Sequence, residues 1–310
     1  MMNGVGIIFL VFLSAVAAYF VHSGFKYTRM ISNIFLSLVY RPETESFSSS
    51  TGEKMTILDS SDHEIETVFA RIPGAKKLVI FCHESGALKE SWEKYAYFFP
   101  DLGYQVLSLD LGNKMAGFEA NSLSQWPTEN DVEKVVTAIR WAKRAIRPDL
   151  ELVLFGVSNG ADIAFAASFR DPSVSAVVAD GLFSMKEIFR AYIRKWAPIL
   201  VKPNLFGDHC PDFLVNTFTN LGFWYSQKKS ERRFIDVEKL LKKPHAPLLV
   251  IHGQEDHYVS ESHQSFLEKL GVTQERFDRL VVPKASHNQA VIFDRELYEQ
   301  KIKRFLSELS

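Results

Sequence analysis

Hydrophobic and polar positions follow two regimes along the chain. Residues 5–22 are a run with no Lys, Arg, Asp or Glu. Beyond residue 53, short apolar runs alternate with segments whose apolar residues recur every three or four positions. The short runs predict strands over 54–58, 64–72, 77–83, 105–110, 152–155, 175–179, 247–252 and 279–282. Turn residues Ser60, Ser61 and Asp62 make the first two a hairpin. The helical spacing predicts helices over 92–99, over 129–146 with Val132, Val135, Val136, Ile139 and Ala142 on one face, near 262–270, and from about Arg295. Near-continuous apolar strands alternating with helices mean an α/β fold. Its mainly parallel central sheet is covered by helices on both faces, with the hairpin adding antiparallel strands at one edge.

The N-terminal run is 18 residues long, just enough to span a bilayer as a helix. Ala15-Val16-Ala17 resembles a signal-peptide cleavage site, which would make the protein secreted or periplasmic. The first basic side chains, Lys26 and Arg29, come only after the run, so a signal peptide's basic start is missing. Residues 1–25 therefore read as an uncleaved single-pass anchor, with the C-terminal side in the cytoplasm by the positive-inside rule. Met30, Ile31, Ile34, Phe35, Leu38 and Val39 continue a helical stripe that lies in the membrane interface or packs on the globular part. Residues 26–53 form this juxtamembrane segment and a polar linker at 45–52, and residues 54–310 form the main domain.

One segment, about 183–245, breaks the strand–helix rhythm and is longer than an ordinary connection. Its aromatic residues include Phe189, Tyr192 and Trp196 at helical spacing, then Phe206 and Trp224. This insertion reads as a cap with a small core of its own. Phe183, Trp196 and Trp224 are its candidates for lining an apolar pocket.

Composition adds mainly exclusions. A net charge of −1 gives no general attraction for nucleic acid. The two cysteines, Cys82 and Cys210, supply no disulfide framework or metal spacing, and nothing in the chain implies a metal or organic cofactor.

The most informative stretch is Gly156-Val157-Ser158-Asn159-Gly160, between the strand 152–155 and a segment with Ala161, Ala164 and Phe165 at helical spacing. Strand, G-x-S-x-G turn and helix make a nucleophile elbow, whose glycines allow close packing around a sharp turn. Serine needs an adjacent base, and His287 follows the last strand. Asp256, just after a buried strand, is the acid that would orient it. Asp180 ends the strand after the elbow and is the rival acid; Glu255 and Asp110 are weaker ones. His83, His252 and His257 sit near strand ends and read as polar core or rim residues.

Four segments, 78–83, the elbow, 251–256 with Val259, and 281–288, resemble the α/β-hydrolase superfamily over about residues 54–308. Within it, the branch of monoacylglycerol-lipase-like and serine-aminopeptidase-like proteins looks most similar. The resemblance implies Ser158 as nucleophile, Asp256 as acid and His287 as base. It also implies oxyanion donors at the backbone of Asn159 and of the loop after the third strand, at Glu84 or Ser85. Relatives commonly have His-Gly there, whereas this chain has His83-Glu84. A carboxylate aimed at a developing oxyanion would raise the barrier, so Glu84 must point away, be paired or be protonated. The expectation is a membrane-anchored serine hydrolase of a small-molecule or lipid ester. A peptidase or amidase of the same fold, and a non-catalytic binding protein, are the alternatives.

Overall fold

The computed structural model describes residues 4–37, 51–59, 63–111, 126–201, 207, 210–272 and 276–309. Leu38, Val39, most of the 45–52 linker, the hairpin turn Ser60–Asp62 and Phe206 lie outside the described residues.

The strands are β1 (Glu53–Leu58), β2 (Glu64–Ala70), β3 (Lys77–Cys82), β4 (Tyr104–Leu109), β5 (Glu151–Val157), β6 (Val174–Asp180), β7 (Leu248–Gly253) and β8 (Phe277–Val282). The helices are α1 (Gly4–Ser37), α2 (Trp92–Tyr95), α3 (Glu129–Ala145), α4 (Asn159–Ser168), α5 (Met185–Leu200), α6 (Asp212–Ser230), α7 (Val237–Leu241), α8 (Glu261–Gly271), α9 (Ala290–Phe293) and α10 (Arg295–Ser307). All eight strands join one sheet in the order β1-β2-β4-β3-β5-β6-β7-β8. β1 and β2 pair antiparallel, as do β2 and β4, and every other pair is parallel. The hairpin therefore occupies one edge of the sheet, as expected from the sequence.

Successive strand residues point to opposite faces, so one strand feeds two cores. Leu78, Ile80 and Cys82 of β3 pack with Val132, Val135 and Ile139 of α3, Phe165 of α4 and Leu267 of α8. Val79 and Phe81 pack on the other face with Trp92 and Tyr95 of α2 and Tyr298 and Ile302 of α10. Burial on both faces explains why these strands read as continuous apolar runs rather than alternating ones. α3 starts where Thr128 and Asp131 form a capping box, satisfying N–H groups that the first turn leaves unpaired.

The helix predicted over 92–99 stops at Tyr95. Pro100 has no N–H to offer the carbonyl of Ala96, which takes the Phe99 N–H at 3.0 Å instead, and the chain tightens into a 3₁₀ turn over Pro100–Leu102.

The chain divides into two compact units. One holds the sheet, from residues 39–185 and 233–310, and the other comprises residues 1–38 and 186–232. In the second, the apolar run and the stripe behind it are one 34-residue helix, α1. Its N-terminal part exposes Ile8, Phe9, Val11, Phe12 and Phe25. Its C-terminal part packs against protein. Phe35 stacks on Phe189 of α5 with ring centroids 4.0 Å apart, and the buried hydroxyls of Ser32 and Ser226 lie 2.7 Å from each other. A cavity of about 170 Å³ in the same unit is lined by Tyr19, Tyr27, Met30, Trp196, Leu214 and Phe218 among others.

Candidate active site

β5 ends at Val157, and Ser158 takes φ 54°, ψ −120° before α4 begins at Asn159. A non-glycine residue at positive φ is strained, and the surroundings hold it there. The Ser158 N–H donates to the Asp180 carbonyl at 2.7 Å, and the Ser158 carbonyl accepts from Ala161 N–H at 2.9 Å. The two elbow glycines are there for space. A Cβ on Gly156 would lie 2.0 Å from the Gly160 carbonyl oxygen, and one on Gly160 would lie 2.1 Å from that of Cys82. Either contact is far inside van der Waals distance, so strand, turn and helix close only with glycine at both places.

The parallel sheet brings three distant loops to one end. Ser158 Oγ lies 2.9 Å from His287 Nε2, and His287 Nδ1 lies 2.7 Å from Asp256 Oδ2. The other oxygen of Asp256 accepts from the N–H groups of Tyr258 and Val259, each at 2.8 Å. Burial by itself would raise the Asp256 carboxyl. The hydrogen bond and charge of His287, with the two backbone N–H groups, outweigh it and hold Asp256 below the ordinary range. Because this carboxylate only accepts, His287 Nδ1 donates to it, which leaves Nε2 as acceptor for the serine proton. Tyr258 covers the pair, its ring centroid 5.2 Å from that of His287.

Asp180, the rival acid, is buried at 1% exposure and is engaged elsewhere: its Oδ2 accepts from the Tyr298 hydroxyl at 2.9 Å. Burial first, then the carboxylates of Glu84 and Asp256, push it up to about 7, against the lowering effects of Tyr298 and His287. His83 and His252 are fully buried core groups, and His257 is exposed. His83 Nε2 accepts from Leu111 N–H at 3.1 Å, so its Nδ1 donates to the Glu84 carbonyl at 2.7 Å. Both ring nitrogens are thereby used in holding the loop after β3.

That loop turns over residues 84–87, closed by Ala87 N–H to the Glu84 carbonyl at 3.2 Å. Glu84 and Ser85 are buried. The Glu84 side chain accepts from the Tyr95 hydroxyl through Oε1 at 2.9 Å, while its Oε2 has no hydrogen-bond partner among the described residues. Asn159 opens α4, where the first N–H groups of a helix have no intrahelical acceptor. Of the pocket candidates, Phe183 is buried against Trp126 at 6.3 Å. Trp196 lines the cavity in the helical unit, and Trp224 is 54% exposed and lines no part of it. Tyr95, Tyr298 and Tyr258 were not among the residues singled out from the pattern, because nothing local marks a tyrosine whose partner lies far away in sequence.

Sheet order, the elbow and the Ser–His–Asp geometry together define an α/β-hydrolase fold, and the chain has that fold. Among solved structures it is similar to the esterase Pf2001 of Pyrococcus furiosus, with a TM-score of 0.62, 16% identity, and coverage of 88% of this chain and 97% of that one. Est1E of Butyrivibrio proteoclasticus matches with a TM-score of 0.55, 16% identity, and coverage of 83% and 98%. A membrane phospholipase A described as a bacterial virulence factor matches with a TM-score of 0.53, 18% identity, and coverage of 98% and 97%. No protein-family model and no curated protein matches the chain. These likenesses do not single out the monoacylglycerol-lipase-like branch.

Proposed function

We propose that the protein is a serine hydrolase that cleaves a carboxylic ester through an acyl-enzyme. The observation that carries this is the unbroken relay of Ser158 Oγ, His287 and Asp256 at 2.9 and 2.7 Å. Ser158 Oγ attacks the carbonyl carbon while its proton passes to His287 Nε2, and the tetrahedral intermediate places its oxyanion against backbone N–H groups. Asn159 supplies one, and Ser85 or Glu84 the other. Collapse releases the alcohol, which takes the proton from His287. Water, deprotonated by the same nitrogen, then frees the acid and restores Ser158. Asp256 keeps the imidazole in the tautomer this requires and stabilises the imidazolium between the two proton transfers.

Support for an ester rather than an amide comes from the esterases and the phospholipase among the structural neighbours. Engagement of the Glu84 side chain by the Tyr95 hydroxyl weighs against the non-catalytic alternative, because the carboxylate is held by a partner. A lipid ester, such as an acylglycerol, fits the exposed apolar face of α1, which is long and apolar enough over Ile7–Ser37 to cross a membrane. In this reading α1 is a single-pass anchor and the sheet-bearing unit is cytoplasmic, since Lys26 and Arg29 follow the span.

A fluorophosphonate probe tests the chemistry: the folded wild-type protein is expected to label and Ser158→Ala is not. Folded protein without Ser158-dependent labelling would overturn the enzyme reading. Hydrolysis of a p-nitrophenyl ester but not the matching anilide separates esterase from amidase. Protease protection in intact vesicles reads the orientation.

A further inference from the structure

We propose that Glu84 is a positioning residue, and that Glu84, Tyr95, Asp180 and Tyr298 form one buried unit holding the oxyanion loop, the elbow and the histidine loop in register. The inference rests on the proposed serine hydrolysis for its kinetic consequences only. The links are made by two phenols. The Tyr95 hydroxyl sits between two loops: it lies 2.9 Å from Glu84 Oε1, in the loop after β3, and 3.3 Å from the carbonyl of Asn288, beside His287. The Tyr298 hydroxyl ties α10 to the Asp180 carboxyl at 2.9 Å, and the Asp180 carbonyl accepts the N–H of Ser158 at 2.7 Å. The next residue, Gly181, packs against the histidine loop so closely that a Cβ there would be 3.2 Å from His287 Cε1 and 3.1 Å from Asn288 Oδ1.

All four side chains are buried: Tyr95 and Tyr298 fully, Asp180 at 1% and Glu84 at 8% exposure. Among the described residues, neither carboxyl forms an ion pair with a basic side chain. Two carboxyls withdrawn from water without an ion-pair partner are costly for the fold. The groups facing Asp180 are Tyr298 from α10, His287 and Asp256 from their loops, and Glu84 from the loop after β3. Those facing Tyr95 are Glu84, Asp180 and Tyr298, and the Lys94 ammonium lies 5.1 Å from the centre of its ring. Of the groups facing Asp180, only His287 can supply positive charge. Asp180 is held up to about 7, by burial first and then by its neighbouring carboxylates, so it keeps a proton in the fold where an ordinary aspartate has lost one. A glutamate where relatives commonly place glycine thus has a task. Its backbone stays in the loop, and its side chain is the strut that Tyr95 holds.

The test uses the full chain in detergent, with steady-state hydrolysis of p-nitrophenyl butyrate and thermal melting. Glu84→Ala and Tyr95→Phe are each expected to lower kcat about tenfold or more, with KM changed by less than about twofold. The double variant should be no worse than the poorer single one, because both remove the same link. Glu84→Gln, whose amide oxygen still accepts from Tyr95, should recover most of the loss suffered by Glu84→Ala. Unchanged kcat in the single variants, multiplied losses in the double, or no recovery with glutamine would overturn the proposal. Melting provides a readout that needs no turnover. The folded chain holds an extra proton on Asp180 between about pH 4 and pH 7, so that group's contribution to stability is greatest below pH 4, declines to pH 7 and then levels. Relative to wild type, Asp180→Asn should therefore gain Tm across that interval and keep a constant offset above it. Parallel melting curves would overturn the proposal even in a catalytically inert protein, whereas inert wild type with the expected curves would sink only the esterase reading.

Discussion

Asp256 gives one carboxylate oxygen to His287 Nδ1 at 2.7 Å and the other to two backbone N–H groups at 2.8 Å, whereas Asp180, at the end of the strand next to β7, gives its Oδ2 to Tyr298. Two aspartates thus end adjacent parallel strands or the loops beyond them, and only one is aimed at the imidazole. Their surroundings set their charge: His287 and the two N–H groups outweigh burial and hold Asp256 low, whereas burial first, then the neighbouring carboxylates, outweighs Tyr298 and pushes Asp180 up to about 7.

The first prediction separates the two acids. Asp256→Asn should lower kcat by roughly 10³–10⁴-fold, since the amide no longer enforces the tautomer that accepts the serine proton. Asp180→Asn should lose far less and should still label at Ser158. Rates of fluorophosphonate labelling for the two variants decide it, and the reverse order would transfer the acid's role to Asp180.

Acid stability should depend on His252. The ring is fully buried, its Nε2 lies 2.8 Å from the carbonyl of Leu182, and burial lowers its pKa to about 4 despite that bond and the nearby Asp256. The unfolded chain takes up the proton at about pH 6.5 and the folded chain only near pH 4, so this group costs stability as pH falls through that interval. Its share is at most roughly 3 kcal/mol. His252→Gln should lose stability at pH 7 yet lose less on acidification, and denaturant melts at pH 7, 6, 5 and 4 would show the two curves converging.

Gly160→Ala should fail to fold or lose about 3 kcal/mol or more, because the added methyl meets the rigid carbonyl of Cys82 at 2.1 Å. Gly24→Ala is the control. It lies in α1 with nothing within 4 Å of the added Cβ, and helix propensity makes the change neutral or stabilising by about 0.5–1 kcal/mol. Soluble yield and Tm are the measurements. An alanine at 160 that folds normally would mean the elbow is looser than its contacts imply.

The two parts of α1 should behave differently on substitution. Phe189→Ala removes the ring that stacks on Phe35 and should destabilise the helical unit by about 3–5 kcal/mol. Replacing exposed Phe9 and Phe12 with serine should leave melting unchanged and weaken retention in carbonate-washed membranes. Equal effects on melting would show that the N-terminal part of α1 packs on protein after all.

Much of this was legible in the order of residues, because strand burial, helical periodicity and turn chemistry are local properties. β3 and β5 announce themselves as apolar runs since both their faces are covered, and the elbow is written in five consecutive residues. Ser158, Asp256 and His287 stand out because each follows a readable strand. Local pattern does not reach the contacts between segments far apart in the chain. That His287 pairs with Asp256 and not Asp180 depends on which loop the sheet brings within 2.7 Å of Nδ1. The same holds for Glu84. In sequence it is a carboxylate where glycine is expected. In the fold it is a buried acceptor for a tyrosine eleven residues on, which also touches a loop 193 residues from itself. Hydrogen bonds of that reach exist only once the sheet has assembled, so tertiary structure alone decided what the unusual residue is for.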